Sequence, residues 1–274
     1  MQHALGEILK QARLTQHLSQ KQVAENICSQ PTISAIERNC CTPNAKLLIA
    51  LCRRLTLEVA QIDLAQPFNI SNNLKIERTL SQLCEQHNYK DLYQFLTIDQ
   101  TINSIQTATQ LQAYYYYLGI AKFQLNQSLP QVEQSWQLSL ANAPMAANLS
   151  TLSRLTYSSL ACISAKRGLN KQAQQRIYTA LADLTATAYD ENQNICFYLT
   201  ALTCYQLHDF IGSLQLLDRG IQFTSAHDSQ YLLANYYCLV AQILDAQEHH
   251  NLKKEALQQE QLLFGLLQQS SDSL

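Results

Sequence analysis

The side chains between Ser19 and Asn39, SQKQVAENICSQPTISAIERN, have the types and spacing for reading the edges of DNA bases. Gln can bond adenine bidentately, and Ser and Thr can serve base edges or phosphates. Ile33 and Ile36, three apart, take the core side of a helix. That leaves Gln30, Thr32, Ser34, Ala35 and Arg38 on its other side and leading end. Ser29 just ahead, Gln20 opening the preceding helix, and Asn44 and Lys46 opening the following one complete the candidate DNA-contacting set. Gln20 and the free amide at its helix start suit a phosphate. Other chemistry finds no footing. The chain has no Gly-rich phosphate loop, no HExxH, no GxSxG and no metal-ligand spacing. Its His and acidic residues lack a second partner at catalytic spacing, so neither an enzyme nor a cofactor or metal is expected.

The elements that would position these side chains follow from apolar spacing. Ser19 is a natural N-cap for a short helix whose Val23 and Ile27 form one face. Ala24 lets a second helix cross closely. Ile27-Cys28-Ser29 reads as the turn, and the second helix is predicted from Pro31, well placed at a first helical position, to Arg38. An upstream helix over Leu5–Leu14 carries Leu5, Ile8, Leu9 and Ala12. Downstream, Pro43-Asn44 opens a helix with Leu47, Leu48, Leu51 and Leu55 in a stripe. Helix, tight turn and helix place the second helix in the major groove; a plain helical hairpin is the alternative.

Four segments, LGEILKQAR, LSQKQVAENI, ISAIERN and TPNAKLLIALCRRL, resemble the Cro/CI-like (XRE) family of DNA-binding domains over about Leu5 to Ile62. The resemblance implies that Arg13 in the first helix pairs with Glu37 ending the recognition helix. The chain departs from the family in a turn one residue short and without its Gly, and in Asn39, which stands where a Gly is usual. Asn tolerates the left-handed conformation.

The chain has 274 residues, 47% hydrophobic and 15% charged, with few Gly and Pro and no run of alternating β-branched residues. An all-α protein of one small and one larger domain follows. Up to Gln66 there are 7 Lys/Arg against 5 Asp/Glu; beyond it there are 12 against 16. The basic excess thus sits with the DNA-reading segment. No signal peptide or apolar membrane span is evident, and nine scattered cysteines without a CxxC pair fit reduced thiols in a cytoplasmic protein. Cys40-Cys41 reads as a plain loop, with a redox sensor as the alternative.

Residues 1–65 are expected to be the DNA-binding domain, 66–73 (QPFNISNN) a linker, and 74–268 a repeat domain. Ala161, Ala173, Ile177 and Ala180 are separated by 12, 4 and 3; Ala201, Ser213, Leu217 and Gly220 repeat those separations. Val132, Trp136, Ser139 and Pro144 share the 4 and 3, with Gly119 placed 13 before Val132. The anchors Val132, Ala173 and Ser213 lie 41 and 40 apart. This spacing resembles the tetratricopeptide repeat, which implies about five helix pairs coiled into a right-handed superhelix; a nonrepetitive bundle is the alternative. The concave face of such an array is lined by each pair's first helix. Its candidate peptide contacts are Tyr116, Ser158, Lys166, Asn194, Tyr198, Tyr205, Gln206, Asn235 and Gln242, with Phe123, Cys162 and Cys238 beside them. Amides pair both ways with a peptide backbone, Tyr offers an apolar wall with a polar tip, and Lys166 can meet a terminal carboxylate.

An XRE-type reader followed by about five such units resembles the RRNPP family of peptide-pheromone receptors. The resemblance implies a cytoplasmic homodimer that binds a palindromic double-stranded operator and is controlled by a short imported signalling peptide. A regulator of the same layout whose repeats dock proteins without a peptide is the alternative.

Overall fold

The computed structural model describes residues 5–41, 43–55, 64–146, 148–184, 187–229 and 231–247, and these are helices and connections with no strand among them. Four helices form the N-terminal unit: α1 (Leu5–Thr15), α2 (Gln20–Ala24), α3 (Gln30–Glu37) and α4 (Ala45–Arg54). Each of the last three begins on a capping side chain. Ser19, Ser29 and Asn44 accept from the amides of Gln22, Thr32 and Leu47, which satisfies donors that a helix start leaves orphaned. Leu5, Leu9, Val23, Ile33, Ile36, Leu48, Leu51 and Leu55 make the core between them.

The repeats follow as α5 (Leu74–Glu85), α6 (Tyr89–Thr97), the single-turn α7 (Asp99–Ile102), α8 (Ala108–Gln124), α9 (Leu129–Ala141), α10 (Thr151–Lys166), α11 (Asn170–Leu181), α12 (Gln193–Gln206) and α13 (Phe210–Ala226). A helix over 233–247, α14, ends the described chain. The pairs α5–α6, α8–α9, α10–α11 and α12–α13 share one device. The second residue past the first helix is left-handed: His87, Asn126, Gly168 and His208, with φ of 51°, 53°, 72° and 59°. The next amide then bonds five residues back, Asn88 to Leu83, Gln127 to Lys122, Leu169 to Ser164 and Asp209 to Cys204, closing a Schellman turn. With so few glycines, His and Asn take the strained position in three of the four turns.

The anchors of the sequence period sit at the pair contacts. Val132, Ala161, Ala173, Ala180, Ala201, Ser213 and Leu217 are fully buried. Gly119 lets α8 lie against α9, since a methyl group there would overlap the Trp136 indole. Arg154, 1% exposed, donates to the carbonyls of Ala180 and Ala182 and ties α10 to the end of α11. Glu133 on α9 accepts from Arg167 and Arg176. The outermost expected pair, 229–267, falls largely outside the described residues, as do His249 and His250.

Two features depart from sequence expectation. The segment 66–73 lies on the repeats: the Phe68 amide donates to the Tyr117 hydroxyl, the Ile70 and Ser71 amides donate to Glu77, and Asn192 bonds Ala65 and Gln66. Ile70 is fully buried. The N-terminal unit also docks on α14. Ala234, Cys238 and Ala241 join its core, and Arg53 pairs with Asp245 at 2.7 Å.

Candidate nucleic-acid interface and peptide groove

The turn between α2 and α3 starts earlier than the sequence suggests. The helix ends at Ala24, and Asn26, with φ of 60°, makes the left-handed bend that a Gly usually makes. The second helix runs one residue ahead of its predicted span, Gln30–Glu37, with Ser29 as its cap. Asn39 has φ of 56° and its side-chain oxygen accepts the Gly6 amide at 2.9 Å. At Gly6 the first helix touches the end of α3 so closely that a Cβ would overlap the Ile36 carbonyl.

Arg13 and Glu37 meet in a two-pronged pair, Nε to Oε1 at 2.6 Å and Nη2 to Oε2 at 2.9 Å. Their side chains are 11% and 5% exposed. Burial pushes the Glu37 carboxyl up, but hydrogen bonds from Arg13 and Gln20 and the Arg13 charge outweigh it and hold the group below the usual carboxylate range. The hydrogen bond to Glu37 in turn raises the Arg13 guanidinium.

The half-buried Gln20 side chain is therefore engaged by its neighbours. Its Nε2 donates to Glu37 at 2.8 Å, and its Oε1 accepts from Gln30 Nε2 at 2.7 Å. The chain Arg13–Glu37–Gln20–Gln30 runs from the shielded side of the unit to the exposed face of α3. It orients the Gln30 amide, a role the sequence did not signal. Gln30, Ser34 and Arg38, four apart, form one stripe; Gln30 and Arg38 are exposed and Ser34 is half-buried. Arg38 Nε bonds the Ser34 carbonyl, keeping the guanidinium on that stripe. Ser29 and Thr32 share a 2.8 Å hydroxyl contact at the helix start. Asn44 and Lys46 are exposed at the start of α4. Lys46 also borders an open cleft of about 760 Å³ with Ile27, Ile49, Ala50, Arg53, Arg54 and Leu244. Arg54 donates to the Gln22 and Glu25 carbonyls, fastening α4 to the end of α2.

The candidate peptide contacts divide into three groups. Tyr116 and Ser158 are enclosed, as are Asn194 and Tyr198 on α12, a correction to their expected place on an open groove. Tyr116 is 3% exposed against Phe68 of the 66–73 segment, with its hydroxyl bonded to Ser159, and the Ser158 hydroxyl donates to Arg154. Asn194 and Tyr198 are fully buried on α12, yet Asn194 Oδ1 and the Tyr198 hydroxyl meet no partner; nor does Oε1 of Gln206 at the helix end. Burial and the neighbouring Cys238 and Cys162 thiols raise the Tyr198 phenol far above its ordinary value. Asn235 is buried, and Tyr205 and Gln242 are half-buried. Lys166 is exposed, its Nζ 4.5 Å from the centre of the Phe123 ring, which holds the cation in place. Among the described residues no His, Cys, Asp and Glu group could hold a metal ion, and no helix is long and apolar enough to cross a membrane.

Comparison with known proteins reinforces the two-part architecture. A helix-turn-helix family model, HTH_3, matches residues 9–62. No functionally curated protein matches the sequence. Among solved structures, PlcR of Bacillus thuringiensis in complex with the peptide PapR7 and DNA is 20% identical, with a TM-score of 0.50, covering 93% of this chain and 95% of that one. The apo form of the same protein is 17% identical, also with a TM-score of 0.50, covering 93% and 94%. Residues 9–62 are thus a helix-turn-helix domain of the HTH_3 family, carried on a helical-repeat chain whose fold is similar to that of PlcR.

Proposed function

We propose that this chain is a DNA-binding transcription regulator of the RRNPP type, acting in the cytoplasm as a homodimer and controlled by a short linear signalling peptide. Gln30, Ser34 and Arg38 meet base edges and the adjoining backbone of a palindromic operator. Ser29, Thr32, Asn44 and Lys46 meet phosphates at the two helix starts, and Gln20 aims Gln30. One reader touches few bases, so two readers on two half-sites supply the specificity.

The observation that carries the peptide half is the set of buried, unpartnered atoms on α12, Asn194 Oδ1, Tyr198 Oη and Gln206 Oε1. A buried polar atom without a partner is costly, about 1–3 kcal/mol each. Amide oxygens at two of the three positions call for N–H donors, which an extended peptide backbone presents at every residue once the packing over α12 opens to admit it. Asn235, Gln242 and Tyr205 add polar contacts alongside, and Lys166 at the mouth takes a terminal carboxylate. Control requires only that peptide bind one arrangement of the dimer better than another; a ~100-fold preference corresponds to about 2.7 kcal/mol.

The test is calorimetric titration of the full chain with a short synthetic peptide, taken from the C-terminus of a small open reading frame beside the gene. Binding of one peptide per protomer at micromolar strength or tighter is expected. Absence of heat from a folded protein that binds DNA overturns the peptide half and leaves the DNA half standing.

A further inference from the structure

Cys52 on α4 and Cys238 on α14 lie 186 residues apart in sequence, yet their sulfurs are 3.1 Å apart. One belongs to the DNA reader and the other to the repeat array. Both are buried in the seam, 3% and 5% exposed. The seam is shaped for close approach: Ala234 and Ala241 flank Cys238 on the face that meets α4. The Arg53–Asp245 ion pair holds the same two helices in register. We propose that Cys52 and Cys238 are a modification site, a dithiol that oxidants convert to a disulfide locking the DNA reader onto the repeats. This rests on the seam alone and not on the peptide or DNA reading.

The step balances with a hydroperoxide as oxidant. One thiolate attacks the peroxide oxygen, the O–O bond breaks, and an alcohol, or water from hydrogen peroxide, leaves with a proton. The resulting sulfenic acid is attacked by the second sulfur; the S–S bond forms and water leaves. Two thiols lose two electrons and two protons, and the peroxide gains them. The sulfurs must close from 3.1 Å to a bonded distance of about 2.05 Å. The hydrogen bond with Cys52 and burial raise the Cys238 thiol well above its usual range. The closed seam is therefore slow to react at neutral pH, and the reaction quickens as pH rises.

The stripe Gln30, Ser34 and Arg38 lies outside the seam, so the lock leaves the recognition surface open and fixes only its attitude to the repeats. The exposed Cys40 and Cys41 are a separate target for the same oxidant. The experiment therefore uses the full chain carrying Cys40→Ser and Cys41→Ser. Treated with hydrogen peroxide and digested without reductant, it should yield one cross-linked peptide pair joining Cys52 to Cys238, lighter by two hydrogens than the sum of its parts and separated by dithiothreitol. The oxidised chain should unfold at a temperature several degrees higher than the reduced one. Cys52→Ser and Cys238→Ser should each remove both effects. If either variant fails to fold, the peptide map of the unmutated seam still decides. Recovery of both cysteines as alkylatable thiols after peroxide treatment, or their pairing with other cysteines, overturns the proposal.

Discussion

Replacing Tyr198 by Phe removes one oxygen and leaves the ring. In the free protein that oxygen is fully buried and has no hydrogen-bond partner. Its removal should relieve the desolvation of the hydroxyl, about 1–2 kcal/mol, without opening a cavity large enough to offset the gain. For a repeat array of this size that corresponds to a rise in unfolding midpoint of roughly 2–8 °C, read by circular dichroism at 222 nm and by the denaturant midpoint. If a peptide backbone is what the hydroxyl awaits, the same variant should bind peptide about three- to tenfold more weakly, from loss of one hydrogen bond. The opposite signs of the two effects are the point: a merely structural Tyr would lose stability on losing its hydroxyl. A variant that is unchanged or less stable, with peptide affinity intact, refutes the reasoning.

Arg13→Met leaves the Glu37 carboxylate shielded, with Gln20 as its remaining charge-orienting donor, and should cost about 2–4 kcal/mol at neutral pH, measured by urea unfolding of the N-terminal transition. The sign with pH follows from the lowered Glu37 group. In the native chain its contribution is present above the unfolded carboxyl value and is lost as pH falls through the folded one. In Arg13→Met, burial is opposed only by the Gln20 hydrogen bond and the Lys10 charge, so the folded value lies above its native level and the gap between the two should narrow on acidification; a gap independent of pH contradicts the pairing. Gln30→Ala combined with Ser34→Ala should abolish specific DNA binding in an anisotropy titration while leaving the dimer and peptide binding unchanged. Retained operator affinity at physiological salt would mean that α3 is not the reading helix. Gly119→Ala forces a methyl into the Trp136 indole and should lower stability by about 1–3 kcal/mol, with no effect on the DNA reader; an unshifted midpoint would show that α8 and α9 can part without cost.

Local chemistry explains which parts of this molecule could be read from sequence. Ser19 and Asn44 announce helix starts, whereas Ser29 reads as part of the turn and is shown as a cap only by the fold; the apolar stripe at Leu48, Leu51 and Leu55 announces one buried face. The repeat was legible because Ala161, Ala173, Ala201 and Ser213 must be small where helices touch, so contact geometry is written as spacing. Long-range polar choices were not legible. Gln20 looked like a phosphate ligand because a glutamine at a helix start is indistinguishable, in sequence, from one bonded to a glutamate 17 residues on. The 66–73 segment has a linker's composition, and only the fold reveals that its amides find Glu77 and Tyr117. Tyr116 fitted the groove pattern, but Phe68 from that same segment covers it. The meeting of Cys52 and Cys238 has no sequence signature at all, since neither residue has a distinctive neighbour.

Control of the DNA reader by a peptide in the repeats would show in one pair of binding curves. A labelled duplex from the gene's own promoter is titrated with the full chain at fixed salt, without peptide and with saturating synthetic peptide. At least a tenfold difference in affinity is expected between the two curves, in either direction, with a smaller difference for Tyr198→Phe when the peptide is held below saturation. Superimposable curves from a chain that binds both the duplex and the peptide would contradict it.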